Sequence, residues 1–194
     1  MTITLSQITK FLERYHRRAL HKPELTRAAV LMLFFSVNEQ LHVLLTKRTE
    51  DVEHHKGQIS FPGGAHDEED EDDIATALRE CHEEIGLAPE SVQILGTFDD
   101  VETPTGFVIT PVVAYAHSLP PLHPSQSEVA EIIEAPVSLF LDKRAERIEQ
   151  RQRFGVTIDV YFFRFGEHEI WGATAAILRA FLHAVRDFEV DLSE

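Results

Sequence analysis

The sequence predicts a mixed α/β fold, with a mixed β-sheet held between helices. Three observations carry that expectation. Apolar runs of strand character recur at 28–37, 41–47, 92–98, 108–116 and 156–165. Apolar residues at helical spacing mark three other segments, 5–20, 74–85 and 175–187. The two kinds of segment do not follow a strict βαβ alternation. At 194 residues, 43% hydrophobic and 26% charged, the chain has the size and composition of one soluble globular domain, 1–194.

Composition narrows the function classes. No apolar run is long enough to span a bilayer, and the first residues lack a basic segment followed by an apolar one, so neither membrane insertion nor secretion is expected. The single cysteine, Cys81, rules out an internal disulfide and is compatible with a cytoplasmic location. A net charge of -15 argues against a nucleic-acid footprint. A small phosphorylated substrate stays open, provided local cations reverse the field at its site.

Along the chain, 1–25 reads as an amphipathic helix and a connector. Ile8, Phe11, Leu12 and Tyr15 form the helix face, Ser6 is the candidate N-cap, and His16-Arg17-Arg18 is a basic tail suited to a helix C-terminus. The strands over 28–37 and 41–47 flank the turn Asn38-Glu39-Gln40 and are expected to pair as a hairpin. A helix over 74–85 follows, then a strand over 92–98. Pro111 places the strand over 108–116 at an edge or a bulge. The stretch 119–127 is a proline-rich exposed loop, and 136–141 a short helix. The charged stretch 142–154 holds Lys143, Arg144, Arg147, Arg151 and Arg153, and reads as a solvated hairpin or as a contact for substrate phosphates. Strands over 156–165 and 169–171 lead to the last helix, which buries Ile177, Leu178, Phe181, Leu182 and Val185.

The chain is organised around 63–87. On an ideal helix Ile74, Leu78, Cys81 and Ile85 form one apolar stripe, which makes Cys81 a core residue. Glu80, Glu83 and Glu84 fall within roughly 100° of each other on the opposite side. Such clustering is locally unfavourable, because like charges at i, i+4 repel and the helix C-terminus prefers cations. A bound Mg²⁺ or Mn²⁺ is one remedy, since these ions take clustered oxygen ligands. The plainer alternative is a solvated acidic face on which Arg79 and Glu83 form an i, i+4 pair. Gly63-Gly64 ahead of the helix favours the first reading, because glycines allow close backbone approach to a metal-bound phosphate.

Arg79-Glu80-Cys81-His82-Glu83-Glu84-Ile85-Gly86-Leu87 resembles the second half of the Nudix box, Arg-Glu-hydrophobic-x-Glu-Glu-x-Gly-hydrophobic. Gly63-Gly64 resembles its start, with one extra residue in between. Leu44-Leu45-Thr46-Lys47-Arg48, continuing through Gly57 and Phe61-Pro62-Gly63-Gly64, resembles the signature of the coenzyme A pyrophosphatase branch. That signature reads Leu-Leu-Thr-x-Arg-(Ser or Ala)-x3-Arg-x3-Gly-x3-Phe-Pro-Gly-Gly. Thr49 takes the Ser or Ala position, and Glu53 stands where the signature has Arg, with Lys56 nearby as a substitute cation. Asp67 and Asp70 match the Asp-x-x-Asp of that branch, and 170–175 resembles its C-terminal region.

The resemblance implies a Nudix α/β/α sandwich and hydrolysis of a pyrophosphate linkage in coenzyme A or its derivatives, or in another nucleoside diphosphate derivative such as ADP-ribose. A non-catalytic Nudix-fold binding protein is the remaining alternative. By carry-over Glu80, Glu83 and Glu84 are metal ligands, with Gly64 giving backbone access, and any of the three carboxylates or Glu128 can act as base. Arg79 orients a carboxylate. Arg48, Lys56, Gly57, Phe61 and Gly63 are the substrate-binding candidates. The acidic run 69–73 also suits a helix N-terminus. The stretch 67–73 is not an EF-hand loop, because its central glycine is missing, and the adjacent His54-His55 make a poor zinc site. The implied partner is a small nucleotide substrate; the oligomeric state is open, a homodimer included.

Overall fold

The computed structural model describes residues 2–49, 57–153 and 155–191. Its elements run α1 (Leu5–Leu12), β1 (Thr26–Val37), β2 (Gln40–Arg48), β3 (Ile59–Ser60), β4 (Gly63–Ala65), α2 (Asp73–Ile85), β5 (Gln93–Thr97), β6 (Val101–Glu102) and β7 (Phe107–Ala116). Then come β8 (Val129–Pro136), β9 (Glu146–Arg153), β10 (Val156–Phe165), β11 (His168–Trp171) and α3 (Gly172–Asp191). Short 3-10 turns cover Pro89–Ser91 and Val137–Leu141.

The predicted mixed sheet between helices is present. β1 pairs parallel with β7 and antiparallel with β2, and β5, β6 and β8 extend the sheet on either side. Period-2 alternation divides β1 between two cores. Met32 and Phe34 join α1 and α3 on one face, while Ala29, Leu31, Leu33 and Phe35 join α2 on the other. Strands β9, β10 and β11 form a separate antiparallel sheet. The β1–β2 hairpin turns at Asn38 and Glu39, both at positive φ, as a two-residue turn matched to strand twist requires.

The sheet forks beside the glycine pair. β2 pairs with β1 only over its first residues, then with β3 along the same edge at Thr46 and Lys47. β1 meets β4 at Ala28, Ala29 and Val30, on the edge it gives to β2 further along. The segment from β3 to β4 therefore fills the gap where β1 and β2 diverge, and the Leu31 N–H donates to the Pro62 carbonyl across it at 2.8 Å. Phe61 sits in the core at 2% exposure.

Three sequence expectations need correction. The first helix ends at Leu12 rather than near residue 20, and its N-cap is Thr4, not Ser6. Thr4 and Gln7 form a reciprocal capping box. Beyond the helix, acceptors from the distant Asp99-Asp100 pair replace the helical ones. Asp99 accepts from the Tyr15 hydroxyl and the Arg18 N–H, both at 2.7 Å, and Asp100 accepts from the Leu20 N–H at 2.8 Å. The basic tail thus lies outside the helix. Third, of the edge or bulge expected at Pro111 the edge fails, since β7 is internal, and the bulge-like irregularity holds: Thr97 faces Val112 but Val101 faces Ile109. The Pro111 carbonyl accepts from the Phe98 N–H where β5 gives way to β6, a break at which a missing donor is tolerated.

Gly63 is fixed by this packing. Its φ is +149°, and a Cβ there would lie 2.3 Å from the Ala29 carbonyl oxygen and 2.6 Å from the Val30 Cα. Both atoms are backbone in the central strand, so nothing can yield cheaply. Gly63→Ala is expected to cost about 3 kcal/mol or more of folding stability, read by urea denaturation.

Candidate active site

Helix α2 starts on the Asp72 side chain, which accepts from the Ala75 N–H at 2.8 Å, and stops at Gly86 in the left-handed region. Its packed face is wider than the apolar stripe. Thr76, Ala77, Cys81, Glu84 and Ile85 are all buried, so Glu84 belongs to the packed side and not to the side opposite it. Small Ala77, one turn before Cys81, lets the sheet come close enough to cover Glu84. Glu80 is half-buried and Glu83 is exposed. The three carboxylates therefore stand at three depths along one edge of the helix. Cys81 is a core residue, as expected; burial pushes its thiol up to about 12, with Glu84 adding to the effect.

Arg79 uses every donor it has. Nε and Nη2 bind the two oxygens of Asp70, each at 2.9 Å. Nη2 also donates to the Ala65 carbonyl at 3.0 Å, and Nη1 reaches Glu80 at 2.8 Å and Glu83 at 3.3 Å. Five N–H groups meet five acceptors, which leaves no donor for a substrate. Asp70 also accepts from the Asp67 N–H and the Thr76 hydroxyl, and Arg79 holds its carboxyl well below the usual carboxylate range. Asp70 thus ties the turn before α2 to the helix.

Glu84 has two partners, both long. Its Oε2 accepts from the Gly63 N–H at 3.3 Å, and its Oε1 lies 3.5 Å from Arg48 Nη1. Burial pushes its carboxyl up to about 7; Arg48 and the Gly63 N–H oppose the rise, while Glu80 and Glu128 add to it. Burial also raises the Glu80 carboxyl, which Arg79 opposes and Glu83 and Glu128 reinforce. The backbone brings exposed Glu128 to this region: its carbonyl accepts from the Thr49 N–H at 2.9 Å, next to Arg48. The loop before β8 puts it there. His123 and Ser125 donate their N–H groups to the Ile85 and Glu84 carbonyls at 2.8 Å, which caps α2 and carries the chain back past Glu84.

The glycine pair meets these carboxylates from the fork. Gly63 donates to Glu84, and a Cβ on Gly64 would lie 2.4 Å from Glu80 Oε2. Gly57 takes a φ of +63° just before β3. The buried Phe61 ring packs in the core, so its contribution is packing and not the substrate contact expected of it. Lys56, Glu53 and the histidine pair at 54–55 lie outside the described residues. Three arginines of the basic stretch are already paired with carboxylates. Arg144 pairs with Asp142 ahead of β9, Arg151 with Glu149 within β9, and Arg147 with Glu149 and with Glu169 of β11.

The comparisons with known proteins agree with this geometry. Residues 25–153 match the NUDIX domain family. An uncharacterized Nudix hydrolase NudL of Pectobacterium atrosepticum is 38% identical over 151 residues, 75% of this chain and 76% of its own. Its counterpart in an Enterobacter species is 40% identical, over 79% of this chain and 80% of its own. Among solved structures, the M. smegmatis Nudix hydrolase RenU is similar at 28% identity and a TM-score of 0.50, over 58% of this chain and 71% of its own. The chain belongs to the Nudix hydrolase family. In this Nudix fold the α/β/α layering comes from α2 on one face of the sheet and α1 with α3 on the other.

The Nudix cluster has the donor set of a hard divalent cation: carboxylate oxygens with a glycine backbone alongside. Among the described residues no three His, Cys, Asp or Glu side chains already form a cation cage. Glu80 and Glu83 face Arg79 instead. The fit lies in Glu84, a buried carboxylate whose charge is opposed by two neighbouring acids and which a cation would satisfy. Arg79 keeps Asp70 and the Ala65 carbonyl as partners if Glu80 and Glu83 turn away.

Two outcomes test this arrangement. The Gly64→Ala methyl would press on the far end of a flexible side chain, not on backbone. It should leave stability within about 1 kcal/mol while moving Glu80 and lowering turnover at least about tenfold, read by urea melts and rate assays on the same sample. For Glu84, the folded carboxyl titrates near 7 against an ordinary 4.5. Between those values the folded chain holds the extra proton, so stability falls as pH rises through that window. Glu84→Gln is therefore expected to be more stable above pH 7, by as much as about 3 kcal/mol, with the gap closing toward pH 4.5. Thermal melts across pH in the presence of a chelator measure it.

Proposed function

We propose that this Nudix hydrolase cleaves the pyrophosphate linkage of coenzyme A or its derivatives, giving 4'-phosphopantetheine and 3',5'-ADP. One observation supports the reading most: the coenzyme A branch signature and the Nudix box converge on the same carboxylates. The signature's first run ends at Arg48, against Glu84, and its second run fills the fork so that Gly63 and Gly64 meet Glu84 and Glu80.

In this reading Glu80, Glu83 and Glu84, with the backbone at Gly64, hold Mg²⁺ or Mn²⁺. The cation, when bound, neutralises diphosphate oxygens and acidifies water. The chain supplies the rest. Gly63 and Gly64, without side chains, let the diphosphate approach the backbone. Arg79 acts on the carboxylates and not on the substrate: Nε and Nη2 anchor it to Asp70 and the Ala65 carbonyl, and Nη1 orients Glu80 and Glu83. Glu128 is the proton acceptor of choice, because it is exposed beside the cluster while Glu84 is buried and engaged. Its Oε takes the proton as water attacks one phosphorus in line and the phosphate monoester leaves on the opposite side. Residues 1–194 act as one catalytic unit in the cytoplasm, on a small nucleotide substrate and without nucleic acid or membrane. No helix among the described residues is long and apolar enough to cross a membrane.

A second reading, a Nudix hydrolase for another nucleoside diphosphate derivative, is favoured by one residue: Glu53 stands where the branch signature has Arg. A panel of coenzyme A, ADP-ribose and a dinucleoside polyphosphate with Mg²⁺ and Mn²⁺, read by product mass, separates the two. Coenzyme A is expected to give the highest kcat/KM. Glu83→Gln and Glu84→Gln are each expected to lower kcat by about a hundredfold or more. Preference for ADP-ribose would favour the second reading, and no turnover on any compound would indicate a binding protein.

A further inference from the structure

We propose that Arg48 is a resident counter-ion of Glu84 that a divalent cation displaces, and that the displaced guanidinium then meets the substrate diphosphate. The inference rests on the metal-dependent reading above and gives Arg48 two successive partners.

The backbone is built to aim this side chain inward. The β2–β8 pairing shifts register at Arg48: Lys47 faces Glu131 but Arg48 faces Val129, so Ala130 is the extra residue. A bulge of this kind re-aims a side chain. Hydrogen bonds on both sides pin the position. The Arg48 N–H donates to the Gln58 carbonyl and the Thr49 N–H to the Glu128 carbonyl, each at 2.9 Å. The side chain then runs toward α2.

What it finds there is charge without good geometry. Among the described residues its one ion pair, with Glu84, spans 3.5 Å, the outer limit of a hydrogen bond, and its Nε is buried with no hydrogen-bond partner. The contrast with Arg79 is direct, because that guanidinium is saturated and this one is not. Glu84 is equally under-served, with 3.3 and 3.5 Å contacts. Each therefore has capacity for another partner.

A divalent cation suits Glu84 better than a guanidinium does. It carries twice the charge, and it also answers Glu80 and Glu128, whose charges oppose that of Glu84. Cation and guanidinium repel at this range, so binding one weakens the hold on the other. The freed fork matches two phosphate oxygens, which a diphosphate presents. Metal thus enters before substrate, and Arg48 becomes a substrate contact only in the loaded protein.

The test reads metal affinity without substrate, so it is independent of turnover. Mn²⁺ binding is titrated calorimetrically at pH 8.5 on the full chain, in the wild type, Arg48→Gln and Arg48→Lys. Arg48→Gln is expected to bind Mn²⁺ about tenfold more tightly, since the competing charge is gone. Arg48→Lys keeps the charge and should stay within about threefold of the wild type. A gain in affinity is not what a damaged scaffold produces. Equal or weaker binding by Arg48→Gln overturns the proposal while leaving the metal-dependent reading intact; no Mn²⁺ binding by the wild type overturns both. A second measurement needs no glutamine variant. In ¹⁵N-edited spectra of the wild-type arginine Nε–H groups, the Arg48 signal, assigned with Arg48→Lys, is expected to move on saturation with Mg²⁺, and an unmoved signal overturns the proposal.

Discussion

A carboxylate on the packed side of α2 sets the terms for its surroundings. Glu84 is 4% exposed, on a helix face that also buries Ala77, Cys81 and Ile85. An anion there must be solvated by the protein or become neutral. The fold answers incompletely, with one backbone N–H and one distant guanidinium. Burial correspondingly pushes the Glu84 carboxyl up to about 7, while its neighbour Glu83 lies at the surface. Incomplete compensation of this kind is common where a site is meant to take a charged guest, because full compensation would leave nothing for the guest to satisfy.

The two arginines of the cluster divide the work by how completely they are bonded. Arg79 is locked by five acceptors, two of them the carboxylate oxygens of Asp70, a side chain 4% exposed. It behaves as part of the scaffold, and it fixes the turn of 65–70 against the helix through Asp70 and the Ala65 carbonyl. Arg48 arrives from the opposite side, off a bulged strand, and among the described residues it has one long pair and an unpartnered Nε. A guanidinium in that condition has little enthalpy to lose on moving. The same residue type thus serves rigidity in one place and responsiveness in the other, and bond count decides which.

Much of this was legible in the sequence, and the gaps have physical causes. The strands of the main sheet and the boundaries of α2 follow from periodicity, because each element buries one face over many residues. The fork was not legible. β3 and β4 are two and three residues long, too short to carry a period, and their positions depend on where β1 and β2 part. The depth of Glu84 does not follow from the stripe of Ile74, Leu78, Cys81 and Ile85. Ala77 and Thr76 are buried too, and counting small residues widens the packed face to include Glu84. The length of α1 was overestimated because the acceptors that end it, Asp99 and Asp100, lie some 80 positions away. The Nudix box itself was legible as a motif, but the saturation of Arg79 depended on Asp70, which read equally well as ordinary helix N-terminal charge.

Strain in the middle of α2 is tolerable only if its ends are held, and separate polar networks hold them. At the N-terminus Asp73 takes Arg27 bidentately at 2.9 Å and Arg17 at 3.0 Å. Arg27 also reaches Thr110 and the fully buried Asp100, whose Oδ1 accepts from the Thr110 hydroxyl at 2.8 Å. That network joins α2 to β1, β7 and the segment after α1. At the C-terminus the N–H groups of His123 and Ser125 cap the last carbonyls. Neither network engages the side chains of Glu80, Glu83 or Glu84; Ser125 meets only the Glu84 backbone carbonyl. Like-charge repulsion along the Glu80–Glu84 edge therefore cannot relax by unwinding the helix, and must be relieved by side-chain rotation or by a counter-charge from outside. A helix fixed at both ends keeps these carboxylates crowded along one edge, where the proposed cation would relieve them.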